Sequence, residues 1–223
     1  MSGADYGIDL DRVGAAGTPT GWLRRRIRGR FPIDPFGGDP MLADTFDPAI
    51  ERLFTFETEG DAVIPEIGAA TIVTSRRFGR ADARVVRAVV REARRRRPRI
   101  VGYPDVPVLG SAFRRLGSVR FRGDDLAVVL RSGHIAVVPL APTSRGRVGA
   151  SSVPVLWGSV GFPVIPAVVH GGVPGPTGVA MGHHRVTFGA PLDLDLVARD
   201  PLSGAELAAA ARDAVQALYD HTA

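Results

Sequence analysis

The feature that most constrains the fold is an alternation of short apolar runs with amphipathic stretches, which begins near residue 55. Residues 71–74 predict a buried strand. Residues 82–97 then place valines on one face of a helix and arginines on the other. Pro98 is expected to stop this helix, and residues 100–102 predict the next strand. Strands that alternate with helices predict an α/β domain with a parallel or mixed sheet.

The same pattern continues downstream. Residues 135–138 and 185–188 predict two further strands. Residues 162–169 predict another, and Pro163 and Pro166 mark it as an edge strand or an irregular segment, because proline cannot donate to a ladder.

Helix signals accompany these strands. Asp124 or Asp125 is expected to cap a helix that runs through Arg131. Residues 203–206 form a capping box that predicts a C-terminal helix. The arginine run 94–97 is expected to be the solvated end of a helix, where positive charge also suits the helix dipole.

The first 50 residues differ from the rest, with clusters of Gly, Pro and Asp. We therefore predict an N-terminal extension over 1–50 and one domain over 51–223, since the 223 residues suit a single domain. The basic stretch 22–28 makes the extension either an interfacial segment that attracts anionic lipid head groups or a segment packed on the domain.

Targeting signals are weak. The first residues lack the basic and apolar regions of a signal peptide. The longest uncharged stretch, 148–184, contains five prolines and eight glycines, so it does not predict a membrane-spanning helix. We expect a cytoplasmic protein, or one peripheral on the cytoplasmic face of the membrane.

Composition excludes several chemistries. There is no cysteine and no lysine, which excludes disulfides, cysteine metal sites, Schiff bases and a phosphate-loop lysine. No metal site is expected, because the adjacent His183 and His184 point to opposite faces of a strand. The net charge of +5 favours an anionic partner such as a phosphate ester or a lipid head group. Aromatic residues are only 7%, which argues against nucleic-acid binding.

Several segments occur in an order that resembles the phospholipid/glycerol acyltransferase family, whose best-known members are the 1-acylglycerol-3-phosphate acyltransferases. These segments are FETEG at 56–60, IPEIGAA at 64–70, LRSGHIAVVP at 130–139, VGFPVIPAVVHG at 160–171 and VTFGAPL at 186–192. The resemblance spans about residues 50–195. It implies a single α/β domain, glycerolipid acyltransferase-like, with a mixed and largely parallel sheet flanked by helices.

The resemblance also implies a His-x-x-x-x-Asp motif after the first buried strand, in which the His is the general base and the Asp orients it. Asp82 matches the aspartate, but Arg77 occupies the position of the histidine. A guanidinium keeps its proton and cannot serve as that base. One interpretation is that Arg77 pairs with Asp82 and that Arg76, Arg77 and Arg80 form an anion site near a helix N-terminus. The alternative is an exposed basic turn in which Asp82 is the helix N-cap.

Two further signatures of the family concern the acceptor phosphate. Ser144 and Arg145 follow the position of its Phe-Pro-Glu-Gly-type turn, in which Leu140 replaces the glutamate. Arg122 approximates the arginine that follows an apolar strand, with a slip of one residue. Arg76, Arg80, Arg122, Ser144 and Arg145 are therefore the candidate residues for binding phosphate or the acyl donor.

The resemblance thus implies a divergent acyltransferase-like protein of glycerophospholipid metabolism. It would bind an acyl thioester, from acyl-CoA or acyl carrier protein, and a lysophospholipid or glycerol-phosphate-like ligand, with no other cofactor. The alternative is a catalytically inactive lipid- or acyl-binding module or assembly subunit. A weaker alternative is a nucleic-acid binder.

Overall fold

The computed structural model describes residues 20, 23, 24, 27, 33–75, 81–103, 113–120, 122–140, 156–174, 180–192 and 204–222. The helices are α1 Pro40–Glu51, α2 Ala81–Arg94, α3 Gly123–Arg131 and α4 Gly204–Thr222. The strands are β1 Phe54–Glu59, β2 Ala70–Ser75, β3 Arg99–Tyr103, β4 Ser118–Arg120, β5 Ile135–Leu140, β6 Val164–Pro174 and β7 Ala180–Phe188. Short 3₁₀ turns lie at Asp61–Val63 and Trp157–Ser159.

The strands form one seven-stranded sheet in the order β1-β7-β6-β2-β5-β3-β4. β6, β2, β5, β3 and β4 are parallel to one another, β7 is antiparallel to β6, and β1 is parallel to β7. The predicted α/β class with a mixed, largely parallel sheet is confirmed. We call the edge at which the five parallel strands end the carboxyl edge.

The helices cover both faces of the sheet. Alternate residues of β2 and β5 point to opposite faces, so Ile72 and Val137 pack against α2 while Val73 and Val138 pack on the other side. The second face is covered by α3 and α4. This three-layer arrangement leaves the ends of the strands as the places where polar groups can converge.

The predicted edge position of the proline-rich strand is wrong. β6 lies in the interior of the sheet, between β2 and β7, and begins at Val164. Pro163 precedes the strand, and Pro166 lies where the ladder with β7 ends, because its carbonyl accepts from Gly189, just past β7. The missing N–H groups therefore fall at the limits of the ladder rather than within it.

The basic run 94–97 is solvated only in part: Arg95 is exposed, but Arg96 and Arg97 are buried. The helix α2 ends at Arg94, and Arg95 turns the chain out of it with a φ of 54°. Arg96 and Arg97 are each only 8% exposed. Arg96 donates to two backbone carbonyls, and Arg97 is paired with Asp44 of α1.

The predicted capping of α3 is also wrong. Its N-cap is Arg122, with no side-chain hydrogen bond to the backbone, and Asp124 and Asp125 lie in the first turn. Their charge there still suits the positive end of the helix dipole. The predicted C-terminal helix is present as α4, with Leu207, Ala211 and Val215 buried against the sheet.

Helix α1 docks on α2 through ion pairs. Asp39 caps α1 by accepting from the amides of Met41 and Leu42. Farther along the helix, Asp47 is paired with Arg87 at 2.8 Å, and both side chains are about nine-tenths buried. The segment 33–51 therefore packs on the domain, whereas the domain boundary at residue 50 stays a prediction.

Candidate functional site

The carboxyl edge is formed around β2. This strand lies between β6 and β5 and holds its position through side chains as well as the ladder, since Thr71 Oγ1 is 2.9 Å from Ser159 Oγ. β2 ends at Ser75 and α2 begins at Ala81. The connection between a buried parallel strand and its helix is where α/β proteins place ligand sites.

Asp82 lies in the first turn of α2 at this edge and is 1% exposed. The helix dipole favours a negative charge there. A carboxylate so deeply buried is costly unless it is paired. Asp82, the aspartate of the predicted motif, thus lies in the first turn of the helix that follows β2 in the chain.

Most of the other predicted site residues cannot be placed relative to Asp82. Arg76, Arg77, Arg80, Ser144 and Arg145 lie outside the described residues.

Arg122 is described, and it is exposed at the start of α3, after β4 ends. It shares the carboxyl edge with Asp82, but β5 and β3 lie between their strands, which separates β2 from β4 by about 14 Å. Asp82 lies in the first turn of α2, whereas Arg122 is the N-cap of α3. These two helices pack on opposite faces of the sheet.

A cleft that sequence reasoning missed lies between α1 and α2. It encloses about 470 Å³, open solvent included. Its lining is Ile50, Phe54, Ile100, Phe113 and Leu116 on the apolar side and Asp47, Glu51, Arg84, Arg87 and Ser118 on the polar side. The lining residues come from segments distant in the chain, so no local sequence signal could have identified it.

Glu51 gives this cleft a titratable carboxyl group. Burial raises the pKa of Glu51 to about 7, against the opposing attraction of Arg91, to which it is ion-paired. Burial also raises the pKa of Asp44, which faces Arg97. The α1–α2 junction therefore holds carboxyl groups that resist ionisation although arginines surround them.

His134 and His170 contact aromatic rings or hydroxyl groups of the protein itself. His134 packs edge-on against Phe36, and His170 stacks on Tyr219 with its Nε2 2.7 Å from Thr222 Oγ1. His183 and His184 point to opposite faces as predicted, the first exposed and the second 2% exposed.

His184 is the unusual member of this set. Neither of its ring nitrogens makes a hydrogen bond of good geometry with a described residue, although the backbone of Met181 lies close enough to oppose the effect of burial on its pKa. Burial, with a further contribution from His183, lowers the pKa of His184. Its ring packs against Phe54 and so close to Gly172 that a Cβ on that glycine would lie 2.0 Å from the ring.

Two further observations concern the described part of the chain alone. It contains no cluster of three or more His, Asp or Glu side chains arranged to hold a metal ion. None of its helices combines the length and the apolar character that crossing a bilayer requires.

The chain was compared with family models, curated sequences and solved structures. No family model matches the chain, and no curated protein sequence matches it. The solved structure of the 1-acyl-sn-glycerophosphate (LPA) acyltransferase from Thermotoga maritima is similar over 80% of both chains, with a TM-score of 0.52 and 14% identity. The protein has an acyltransferase-like fold. At this identity the likeness concerns the fold alone, so the activity has to be argued from the site.

Proposed function

We propose that this chain is an acyltransferase-like protein of glycerophospholipid metabolism that binds an acyl thioester, a lipid phosphate acceptor, or both, at the carboxyl edge. The observation that carries the proposal is the position of Asp82. It is a buried carboxylate in the first helical turn after β2, in a fold similar to that of an LPA acyltransferase. Arg76, Arg77 and Arg80 precede it in the chain and supply positive charge suited to a phosphate.

The chemistry requires a proton acceptor. In acyl transfer the acceptor hydroxyl oxygen bonds to the thioester carbonyl carbon, the carbon–sulfur bond breaks, and the hydroxyl proton ends on the departing thiolate. Arg77 cannot take that proton in transit, because its guanidinium stays charged. Asp82 then orients the acceptor or its arginine neighbours, and water removes the proton. Loss of a general base typically slows such a step by about 10²–10⁴-fold.

A second candidate function is binding without catalysis, as a lipid- or acyl-binding module or an assembly subunit. The observation in its favour is that all five histidines lie elsewhere in the fold, just before β5, in β6, in β7 or at the end of α4, whereas Arg77 follows β2 in the chain. No histidine therefore takes up the lost position within the β2–α2 connection.

The weaker nucleic-acid alternative receives no support from the described arginines. Six of them donate to carboxylates or backbone carbonyls inside the protein: Arg87, Arg91, Arg94, Arg96, Arg97 and Arg99. Arginines engaged in this way do not present a surface to phosphates.

The test is an acyl-transfer assay with the full chain, acyl-CoA, and lysophosphatidate or glycerol 3-phosphate. We expect slow turnover by the wild type and loss of that turnover in Asp82→Asn, because the amide cannot hold an opposing positive charge. The matched control is Asp124→Asn, an exposed acid in the first turn of α3, which should keep the wild-type rate.

The same proteins are titrated with a fluorescent acyl-CoA. Equal background turnover in all of them contradicts catalysis, and saturable binding weakened by Asp82→Asn then identifies the binding module. Absence of both turnover and binding contradicts the proposal.

A further inference from the structure

The cleft between α1 and α2 lies along the arginine face of α2. Arg84 and Arg87 both line it and are three residues apart, so they share one face of the helix. Asp82 is two residues before Arg84, and residues at this spacing do not face each other on a helix. The cleft is therefore separate from the position of the motif aspartate.

The cleft has an apolar wall. Its volume is about 470 Å³, open solvent included, which is in the range of pockets that hold small molecules. The wall includes Ile50 of α1 and Phe113 and Leu116 of the segment before β4, and all three are only partly buried. An alkyl chain that covered these side chains would remove apolar surface from water on both partners.

The polar side of the cleft has an unused donor. Arg87 donates to Asp47 and to the carbonyl of Leu116, but its buried Nε has no hydrogen-bond partner among the described residues. Arg84 adds a second guanidinium to the lining. A guanidinium presents its donors in the fork geometry that a carboxylate accepts.

Glu51 completes the polar side. Burial raises the pKa of Glu51 to about 7, so below that pH the group is mostly uncharged. Its Oε2 accepts from Arg91, and the other oxygen can carry the proton. Among the described residues that line the cleft, two guanidinium groups then face a single carboxylate, that of Asp47. An anion of one charge would restore neutrality.

These features select one class of ligand, an alkyl monocarboxylate. Its carboxylate can accept from the arginines and also from protonated Glu51, which in its ionised form would repel it. A neutral or cationic amphiphile offers no such acceptor.

We propose that the α1–α2 cleft binds a single-chain fatty acid, with its carboxylate at Arg84 and Glu51 and its alkyl chain against Ile50, Phe113 and Leu116. This inference goes beyond the proposed function, because the ligand is the free acid rather than a thioester and Asp82 takes no part in binding it.

The experiment is isothermal titration calorimetry of the full chain with decanoate, about one pH unit below the pKa of Glu51. The test variant is Arg84→Glu. The matched control is Arg212→Glu, which makes the same change of charge at a partly exposed arginine of α4, on the opposite face of the sheet. We expect saturable binding that Arg84→Glu weakens at least tenfold, through loss of a charge-assisted hydrogen bond, and that Arg212→Glu leaves unchanged. A wild type without saturable binding, or equal effects of the two variants, overturns the inference.

A series of ligands tests the class. Octanoate should bind the wild type about fourfold more weakly than decanoate for each methylene it lacks. Decanol, which has no charge, should bind at least tenfold more weakly. Decanol that binds as tightly as decanoate, or decyl phosphate that binds more tightly, overturns the assignment of a monocarboxylate.

Glu51 provides a test by pH. The groups that face it are Arg87 and Arg91 of α2 and Asp47 of α1. The affinity for decanoate should fall as the pH rises through about 7, because ionised Glu51 repels the ligand. Glu51→Gln keeps a donor at every pH and should show no such fall. A fall of equal size in Glu51→Gln overturns the inference.

Folding and the proposed function are controlled separately. Thermal unfolding verifies that each variant is folded, and Arg84→Gln replaces an Arg84→Glu that is not, with the same direction of effect expected. Asp82→Asn should bind decanoate as the wild type does, whatever its acyl-transfer activity. Loss of decanoate binding in folded Asp82→Asn overturns the inference, since the ligand then occupies the carboxyl edge.

Discussion

At the scale of single residues, His184 is a buried histidine whose two ring nitrogens make no hydrogen bond of good geometry. Its imidazole is almost completely buried, and neither ring nitrogen makes a hydrogen bond of good geometry within the described residues, the backbone of Met181 being the nearest polar group that acts on it. Buried polar atoms without partners cost about 1–3 kcal/mol each. The neighbouring Gly172, with a φ of +65°, is the residue that leaves room for the ring. The site is therefore built around the shape of a ring rather than its hydrogen bonds.

We predict that His184→Phe stabilises the protein, by about 1 kcal/mol near neutral pH, because it keeps the ring and removes the unpartnered nitrogens. Burial lowers the pKa of His184 from its usual 6.5, so the wild type loses stability as the pH falls below 6.5, where the unfolded chain binds the proton more readily. The advantage of the variant should therefore grow between pH 7 and 5.

Urea unfolding at both pH values measures this difference. His183→Phe, at the exposed neighbour, is the control and should change stability by less than about 0.5 kcal/mol. If His184→Phe loses as much stability as His183→Phe or more, the imidazole of His184 has a hydrogen-bond partner that phenylalanine cannot replace.

At the scale of elements, the docking of α1 on α2 depends on buried charge. Asp47 accepts from Arg87 at 2.8 Å and lies 3.5 Å from Arg91. Arg87 also donates to the carbonyl of Leu116, so one guanidinium joins α1, α2 and the segment before β4. Such pairs contribute to specificity of docking, and breaking one leaves a charge buried without its partner.

We predict that Asp47→Ala lowers the free energy of unfolding by about 3–5 kcal/mol, because Arg87 loses its buried counter-charge. The control is Glu59→Ala, which breaks the exposed pair of Glu59 with Arg185 and should cost at most about 1 kcal/mol. Chemical denaturation of both variants compares the two. Similar small losses would mean that water reaches the α1–α2 junction.

Glu51 makes the same junction sensitive to pH. Its pKa is about 7 in the folded protein and near 4.5 in the unfolded chain, so between these values the folded state binds the extra proton. This group therefore contributes a loss of stability as the pH rises from about 4.5 to 7. Asp44, whose pKa is also raised, acts in the same direction.

We predict that Glu51→Gln flattens this part of the stability profile and makes the protein more stable than wild type at pH 8. Melting temperatures at several pH values measure the slope. Glu57→Gln, at an exposed carboxylate, should keep the wild-type slope. A steeper slope in Glu51→Gln would show that the pair with Arg91 outweighs burial.

For the whole molecule, the periodicity of apolar residues in the sequence predicts most of the central strands and helices. β2, α2, β3, β5 and α4 follow from local patterns, and the face of β2 and β5 that each side chain occupies follows from alternation. β1 was not predicted as a strand, because Phe54 alone of its residues is buried and Glu57 and Glu59 are exposed. Its position is fixed instead by β7, which is distant in the chain.

The rest depended on contacts between distant segments. The basic run 94–97 predicts a solvated helix end. In the structure, Arg96 is buried because it donates to two backbone carbonyls, and Arg97 is buried because it is paired with Asp44. The prolines of β6 predict an edge strand, but β6 pairs with β7 on one side and with β2 on the other. In the candidate site, the position of Asp82 follows from the strand–helix order, whereas the roles of Arg76, Arg77, Arg80, Ser144 and Arg145 stay predictions.

The proposed function requires that the carboxyl edge hold an acyltransferase site from which only the base has been lost. The most direct measurement is acyl transfer from acyl-CoA to lysophosphatidate by Arg77→His, compared with the wild type and with Arg77→Gln. If only the base has been lost, the histidine five residues before Asp82 in the chain should raise the rate by about 10²-fold or more, and glutamine should not. A folded Arg77→His that binds acyl-CoA and transfers no faster than Arg77→Gln would contradict this account.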